Sequence, residues 1–201
     1  MVLQSVGYLS EARQAFLQAE RLDPVYPQLQ VFLGLNAMTL GDLAAARNYL
    51  QRAIDGGNAN GVGGMFFLEL ETGKPENAIA YLEEHTALVV AGQASGMQRQ
   101  SADAIAAAIR DKSLMQSGIE AALLEGHIIA LNYFGAETEI ARLLNGDLAD
   151  GTTLRNSLRL AFHLWAPAFS GLRQLPEYKQ FLRDFGLVGL WKERGWQDLC
   201  K

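Results

Sequence analysis

Two stretches of the chain repeat each other at a fixed interval. Gly7, Ala12, Phe16 and Ala19 recur as Gly41, Ala46, Leu50 and Ala53, each 34 residues further on. A period in this range marks stacked supersecondary units, none of which buries its apolar face alone. Alanine and leucine are abundant and runs of β-branched residues are scarce, so the repeating unit is read as a pair of helices. The expected fold is all-α, with roughly nine to eleven helices.

The details of the units carry a family resemblance. Ala12, Phe16, Ala19 and Pro24 follow the second-helix pattern of the tetratricopeptide repeat (TPR): alanines permit close helix approach, Phe16 fills the space between units, and Pro24 ends the helix. The second unit is more complete. Pro27 to Leu40 reads as a first helix containing Leu33-Gly34, Gly41-Asp42 as turn and N-cap, and Leu43 to Ile54 as the second helix. A third unit is two residues shorter, with helices from Gly61 to Thr72 and from Pro75 onward, and with Ala78 and Leu82 on the expected stripe. Residues 1–88 thus resemble the TPR family, which implies a right-handed superhelix of hairpins with a concave, protein-binding face. The first unit begins mid-helix, and we expect upstream residues to belong to it.

Beyond residue 88 the motif fades while helical patterning continues. Residues 89–151 are expected to form degenerate hairpins. A connector spans Val89 to Gln98, one helix Ser101 to Arg110, and a second is capped by Ser113 and carries Ile119, Leu123, Leu124, Ile128 and Leu131. Gly135 turns the chain into Glu137–Leu144, and 145–151 reads as a polar loop. Residues 152–201 are expected to be a helical cap packed as part of one continuous solenoid. It has a helix from Thr152 or Thr153 to Trp165, another opened by Pro176, and a short last one around Leu187, Leu190 and Trp191. The run Leu164-Trp165-Ala166-Pro167, Arg173, Pro176, Tyr178, Phe181, Gly186-Leu187, Trp191, Gly195-Trp196, Asp198 and Cys200 is similar to the ending of bacterial TPR proteins that carry winged-helix regulator or adenylate/guanylate cyclase domains. That resemblance implies a sensory or interaction module and carries no DNA-binding or cyclase residue to this chain.

Chemistry is sparsely signalled. Cys200 is the single cysteine, which excludes an internal disulfide. His85, His127 and His163 lie far apart in sequence without carboxylates at helical spacing, so no metal site is expected. The glycines at 56, 57, 61, 63 and 64 lack a preceding strand and a following Gly-Lys-Ser/Thr, so they read as a loop and a close-packed helix start. No catalytic constellation or cofactor motif is present, and the chain is read as no enzyme. With net charge −5 and no basic cluster, direct nucleic-acid binding is not expected. No signal peptide or membrane-length apolar run is visible, which suggests a cytoplasmic setting, or a periplasmic one for a piece of a membrane-anchored regulator.

Function therefore falls to the groove. Aligned on Gly34 and Gly41, the groove-facing positions are Gln28, Val31, Leu35 and Met38 in the second unit and Asn60, Gly63, Phe67 and Leu70 in the third. They lack the Lys, Arg and Asn that clamp a terminal carboxylate, so the expected partner is an apolar peptide or helix. Two alternatives stand beside it: a small-molecule sensor with a pocket between the third unit and the cap, and self-association as a homo-oligomer through the N-terminal end.

Overall fold

The computed structural model describes residues 2–93, 97–124, 127–149 and 163–198. Every regular element among them is helical: α1 (Val2–Ser5), α2 (Leu9–Leu22), α3 (Pro27–Thr39), α4 (Leu43–Asp55), α5 (Asn60–Glu71), α6 (Pro75–Val90), α7 (Arg99–Arg110), α8 (Met115–Leu124), α9 (Ile128–Tyr133), α10 (Glu137–Ala149), α11 (Pro176–Asp184) and α12 (Leu187–Arg194), with short 3-10 turns at Lys112–Leu114, Pro167–Phe169 and Leu172–Gln174. Helices α3 and α4, α5 and α6, and α7 and α8 form antiparallel-type hairpins that stack in chain order, α4 on α5 and α6 on α7. This is the TPR-like architecture expected from the 34-residue period.

The period has a local cause. At the end of α3 the chain reverses through Gly41 at φ +78°, with Gly41 N–H donating to Met38 O and Asp42 N–H to Ala37 O. That pair of bonds satisfies two orphan carbonyls of the helix, and only glycine takes the left-handed conformation without strain. Asp42 then caps α4 by accepting from Ala45 N–H at 3.1 Å. Pro27 and Pro75 sit in the first turns of α3 and α6, where their missing N–H costs nothing.

Leu50 on α4 is the knob of the second unit. It is fully buried, and a Cβ built on Gly34 would stand 2.7 Å from its Cγ, one on Gly64 2.4 Å from its Cδ2. The glycines at 61 and 64 thus let α5 lie against α4, through Leu50, Ala53 and Ile54.

Several expected elements differ. Helix α6 continues through Val90 rather than yielding to a connector at Val89, and stops only at Gly92, φ +72°. The stretch from Ser113 to Leu131 is two helices, not one. Asp111 caps the first turn by accepting from Ser113 N–H, and His127 restarts the chain as N-cap of α9, its Nδ1 accepting from Ala130 N–H at 3.3 Å. Apolar periodicity ran on through this break because both helices face the same core. Residues expected to be a polar loop extend α10 to Ala149. The expected helix from Thr152 or Thr153 to Trp165 lies mostly outside the described residues, and its described end, 163–165, is turn.

Helix α11 packs on α10, but α12 returns to the first hairpin. Val6, Tyr8, Leu9, Trp165, Leu187 and Trp191 form one buried cluster, with the Trp165 and Trp191 rings edge to face at 5.8 Å. Carbonyls in the α1–α2 connection are satisfied by this tail: Trp165 Nε1–H donates to Ser5 O at 3.1 Å, and Trp191 Nε1–H to Val6 O at 2.9 Å. Tyr8 Oη–H donates to Gly195 O, Asp198 Oδ2 accepts from Ser10 N–H, and the Arg194 guanidinium lies 4.3 Å from the Tyr8 ring centre while pairing with Glu11. Trp165 and α12 thus cover the apolar residues Val6, Tyr8 and Leu9 where α1 passes into α2.

Candidate functional site

The expected groove residues lie along α3 and α5, which contact each other, and α5 in turn meets α9. Gln28 is half-buried, its Oε1 accepting from Asn58 Nδ2–H at 3.0 Å and from Asn60 Nδ2–H at 3.5 Å, while Asn60 itself is exposed. Val31 is buried, 3% exposed, and Leu35 is half-buried against the cluster around Leu50 and Met65. Met38, Phe67 and Leu70 come together across the two units and line one cavity of about 520 Å³.

The other wall of that cavity comes from sequence-distant elements. Ile129, Asn132 and Tyr133 on α9, and His163 with residues 166–169, complete it. Arg173 shapes this segment, donating from Nη1 to both Leu164 O and Ala166 O at 2.8 Å. Asn132 Nδ2–H donates to Ala168 O at 3.1 Å, and Glu71 also lines the cavity, its carboxyl near the Ala168 backbone N–H. The chain's own segment 163–169 thus sits on the side of α5 where a guest was expected.

The three histidines also converge, which sequence spacing concealed. Phe67 contacts both His127, at 5.6 Å between ring centres, and His163, at 5.2 Å, and His127 also meets Phe66. His85 faces Gly63, where a Cβ would stand 3.3 Å from Nε2, and lies within electrostatic reach of His127. Burial in this aromatic setting pushes His127 and His163 down to about 4, with a further downward push from neighbouring imidazoles, and lowers His85 as well. These are neutral packing groups at neutral pH. Among the described residues no three His, Cys, Asp or Glu side chains form a group able to hold a metal ion. The one signal that pointed here was the small residue Gly63 on the same stripe as Phe67.

Glu71 is the remaining titratable group of the cavity. Burial raises its carboxyl above the usual range, against the lowering effect of the Ala168 N–H, and no cation of the described residues pairs with it. No helix among the described residues is long and apolar enough to cross a membrane.

Comparison with known families gives a match over residues 27–55 to the tetratricopeptide repeat, the span occupied by the α3–α4 hairpin. The chain matches no curated protein and no solved structure. With a matched hairpin stacked between neighbours of the same build, the chain carries a tetratricopeptide repeat within an all-helical fold, a repeat whose general role is protein–protein interaction.

Proposed function

We propose that the chain is a non-catalytic interaction module that takes an apolar helix or extended segment on the side where α3 and α5 meet. The observation that supports this reading is that the chain's own segment 163–169 faces this side: it lines one cavity with Met38, Phe67 and Leu70, and its His163 ring packs on Phe67. In this reading Gln28, Leu35 and Phe67 meet a partner, with Val31, Met38 and Leu70 buried behind them. A partner then competes with, or extends, the internal segment. The likeness of the C-terminal residues to endings of bacterial winged-helix and cyclase proteins supports a regulatory setting.

Leu35→Asp tests the assignment. It places a charge on a half-buried groove position that also packs on the Leu50 and Met65 cluster, so the melting temperature falls, while at a temperature where the helical circular dichroism is still wild-type the partner capture is lost. A folded Leu35→Asp protein that binds its partners undiminished overturns the groove assignment, as does a loss of binding that occurs only with unfolding.

A further inference from the structure

The first hairpin lacks one part that its repeat supplies, and the far end of the chain provides it. The turn before α2 copies the turn before α4 in its backbone. Gly7 takes φ +92° where Gly41 takes +78°. Gly7 N–H and Tyr8 N–H donate to Gln4 O and Leu3 O, as Gly41 N–H and Asp42 N–H donate to Met38 O and Ala37 O. The side chains differ. Asp42 caps α4 by accepting from Ala45 N–H, but 34 residues earlier the cap position is Tyr8, whose side chain makes no capping bond. A tyrosine is too long to fold its oxygen back onto the turn that follows it, so the first N–H groups of α2 have no local acceptor.

The acceptor arrives from the tail. Asp198 Oδ2 accepts from Ser10 N–H at 2.7 Å, and Ser10 is the second residue of α2, one of the two positions whose N–H an N-cap side chain ordinarily takes. Asp198 N–H donates in return to Gly7 O at 3.3 Å. Gln197 is buried, and its Cβ lies 3.0 Å from where a Cβ on Gly7 would stand. Tyr8 uses its hydroxyl to hold this segment, donating to Gly195 O at 2.7 Å, while Arg194 lies over the Tyr8 ring and pairs with Glu11. The Asp198 carboxylate also faces the positive end of the α2 dipole, where a negative charge is stabilising. We infer that residues 195–198 are a strap that serves as the N-cap of α2 from 188 positions away, so that lifting the strap loosens the first hairpin. Its outer contacts, Ser10, Glu11 and Arg194, are exposed, whereas Trp191 behind them is buried, so the strap opens while α12 stays anchored. This role of the strap is independent of the groove between α3 and α5.

Residue-resolved amide exchange on the intact chain tests the role. Asp198→Ala speeds exchange at Ser10 by about fivefold, the population change that follows from losing a typical cap, and leaves the amides of α10 as in wild type. Asp198→Asn stays near wild type at Ser10, because an amide oxygen caps as well as a carboxylate. Tyr8→Phe keeps the ring but loses the hydrogen bond to Gly195 O, so it also speeds exchange at Ser10. Unchanged exchange at Ser10 in Asp198→Ala or Tyr8→Phe, an equal acceleration in α10, or an Asp198→Asn protein that behaves as Asp198→Ala each overturns the inference. Asp198→Asn and Tyr8→Phe, which keep the shape of the parent side chains, decide the question even where Asp198→Ala does not fold.

Discussion

Leu50 shows how single residues fix the approach of whole helices here. Its side chain lies in a notch made by Gly34 on α3 and Gly64 on α5, both too close for a Cβ. Gly64→Ala should therefore destabilise the protein by about 1–3 kcal/mol, the usual cost of overpacking a filled core, read from urea melts. Leu50→Ala alone should cost about 2–5 kcal/mol. Because the two act on the same space, the double variant should lose clearly less than the sum of the singles. Additive losses would mean that Gly64 is required for another reason. The histidines make a second prediction at this scale. His127 and His163 titrate near 4 in the folded state against about 6.5 unfolded, so the unfolded chain takes up their protons first. Their contribution is intact above pH 6.5 and declines as pH falls from 6.5 toward 4, by at most about 3 kcal/mol for each. His127→Phe should flatten that decline in denaturant melts followed against pH. Glu71, whose carboxyl is raised, works in the opposite sense, because its burial is relieved on protonation. An unaltered pH profile in His127→Phe would refute the assignment.

The junction of the second and third hairpins combines a buried seam with an ion pair. Arg47 on α4 pairs with Glu69 on α5, whose side chain is 1% exposed and also accepts from Asn77 Nδ2–H. The pair ties the second unit to the third beside the Leu50 contact. Removing one partner leaves a carboxylate buried alone, whereas removing both leaves none. Arg47→Met should cost about 2–3 kcal/mol, discounted because the arginine is 40% exposed, and Glu69→Met added to it should restore most of the loss. Chemical denaturation of the two proteins checks this, and a double variant as unstable as the single one would contradict it. A second polar seam joins the first two hairpins: Asn36 Nδ2–H donates to Gln4 Oε1 and Leu9 O, all buried. Gln4 and Asn36 carried no sequence signal as core residues, because only their mutual satisfaction makes burial tolerable.

At the scale of the molecule, the return of α12 to the first hairpin changes how stability is shared. In a linear array each unit touches its neighbours alone, and its ends fray independently. Here Trp165 and Trp191 donate to carbonyls at Ser5 and Val6, so the two ends of the sequence are joined. Trp191→Ala should cost about 3–5 kcal/mol as a large core truncation. Its signature should be faster amide exchange in α1 and α2 as well as in α12, measured by hydrogen–deuterium exchange. Acceleration confined to α12 would mean that the ends are not energetically joined. The same joining explains why the segment 163–169 lies against α5: it connects an anchor at Trp165 to the α11 helix through the Arg173 clamp.

The hairpins of residues 7–55 were legible from sequence alone, since their glycine turns, proline starts and caps are local and act within a few residues. Most helix positions of the third unit followed for the same reason. Sequence also placed Met38, Phe67 and Leu70 on one stripe. It did not place His85, His127 and His163 together, show that Asn132 and Glu71 line one cavity, or return α12 to Tyr8. Those contacts join residues from tens to nearly two hundred positions apart, and no local preference encodes them. The sequence by itself determined the 34-residue repeat and its helical build. Tertiary structure decided that the tail returns to the first hairpin, because Val6, Tyr8 and Leu9 bury against Leu187 and the two tryptophans, whose indole N–H groups pair with the Ser5 and Val6 carbonyls.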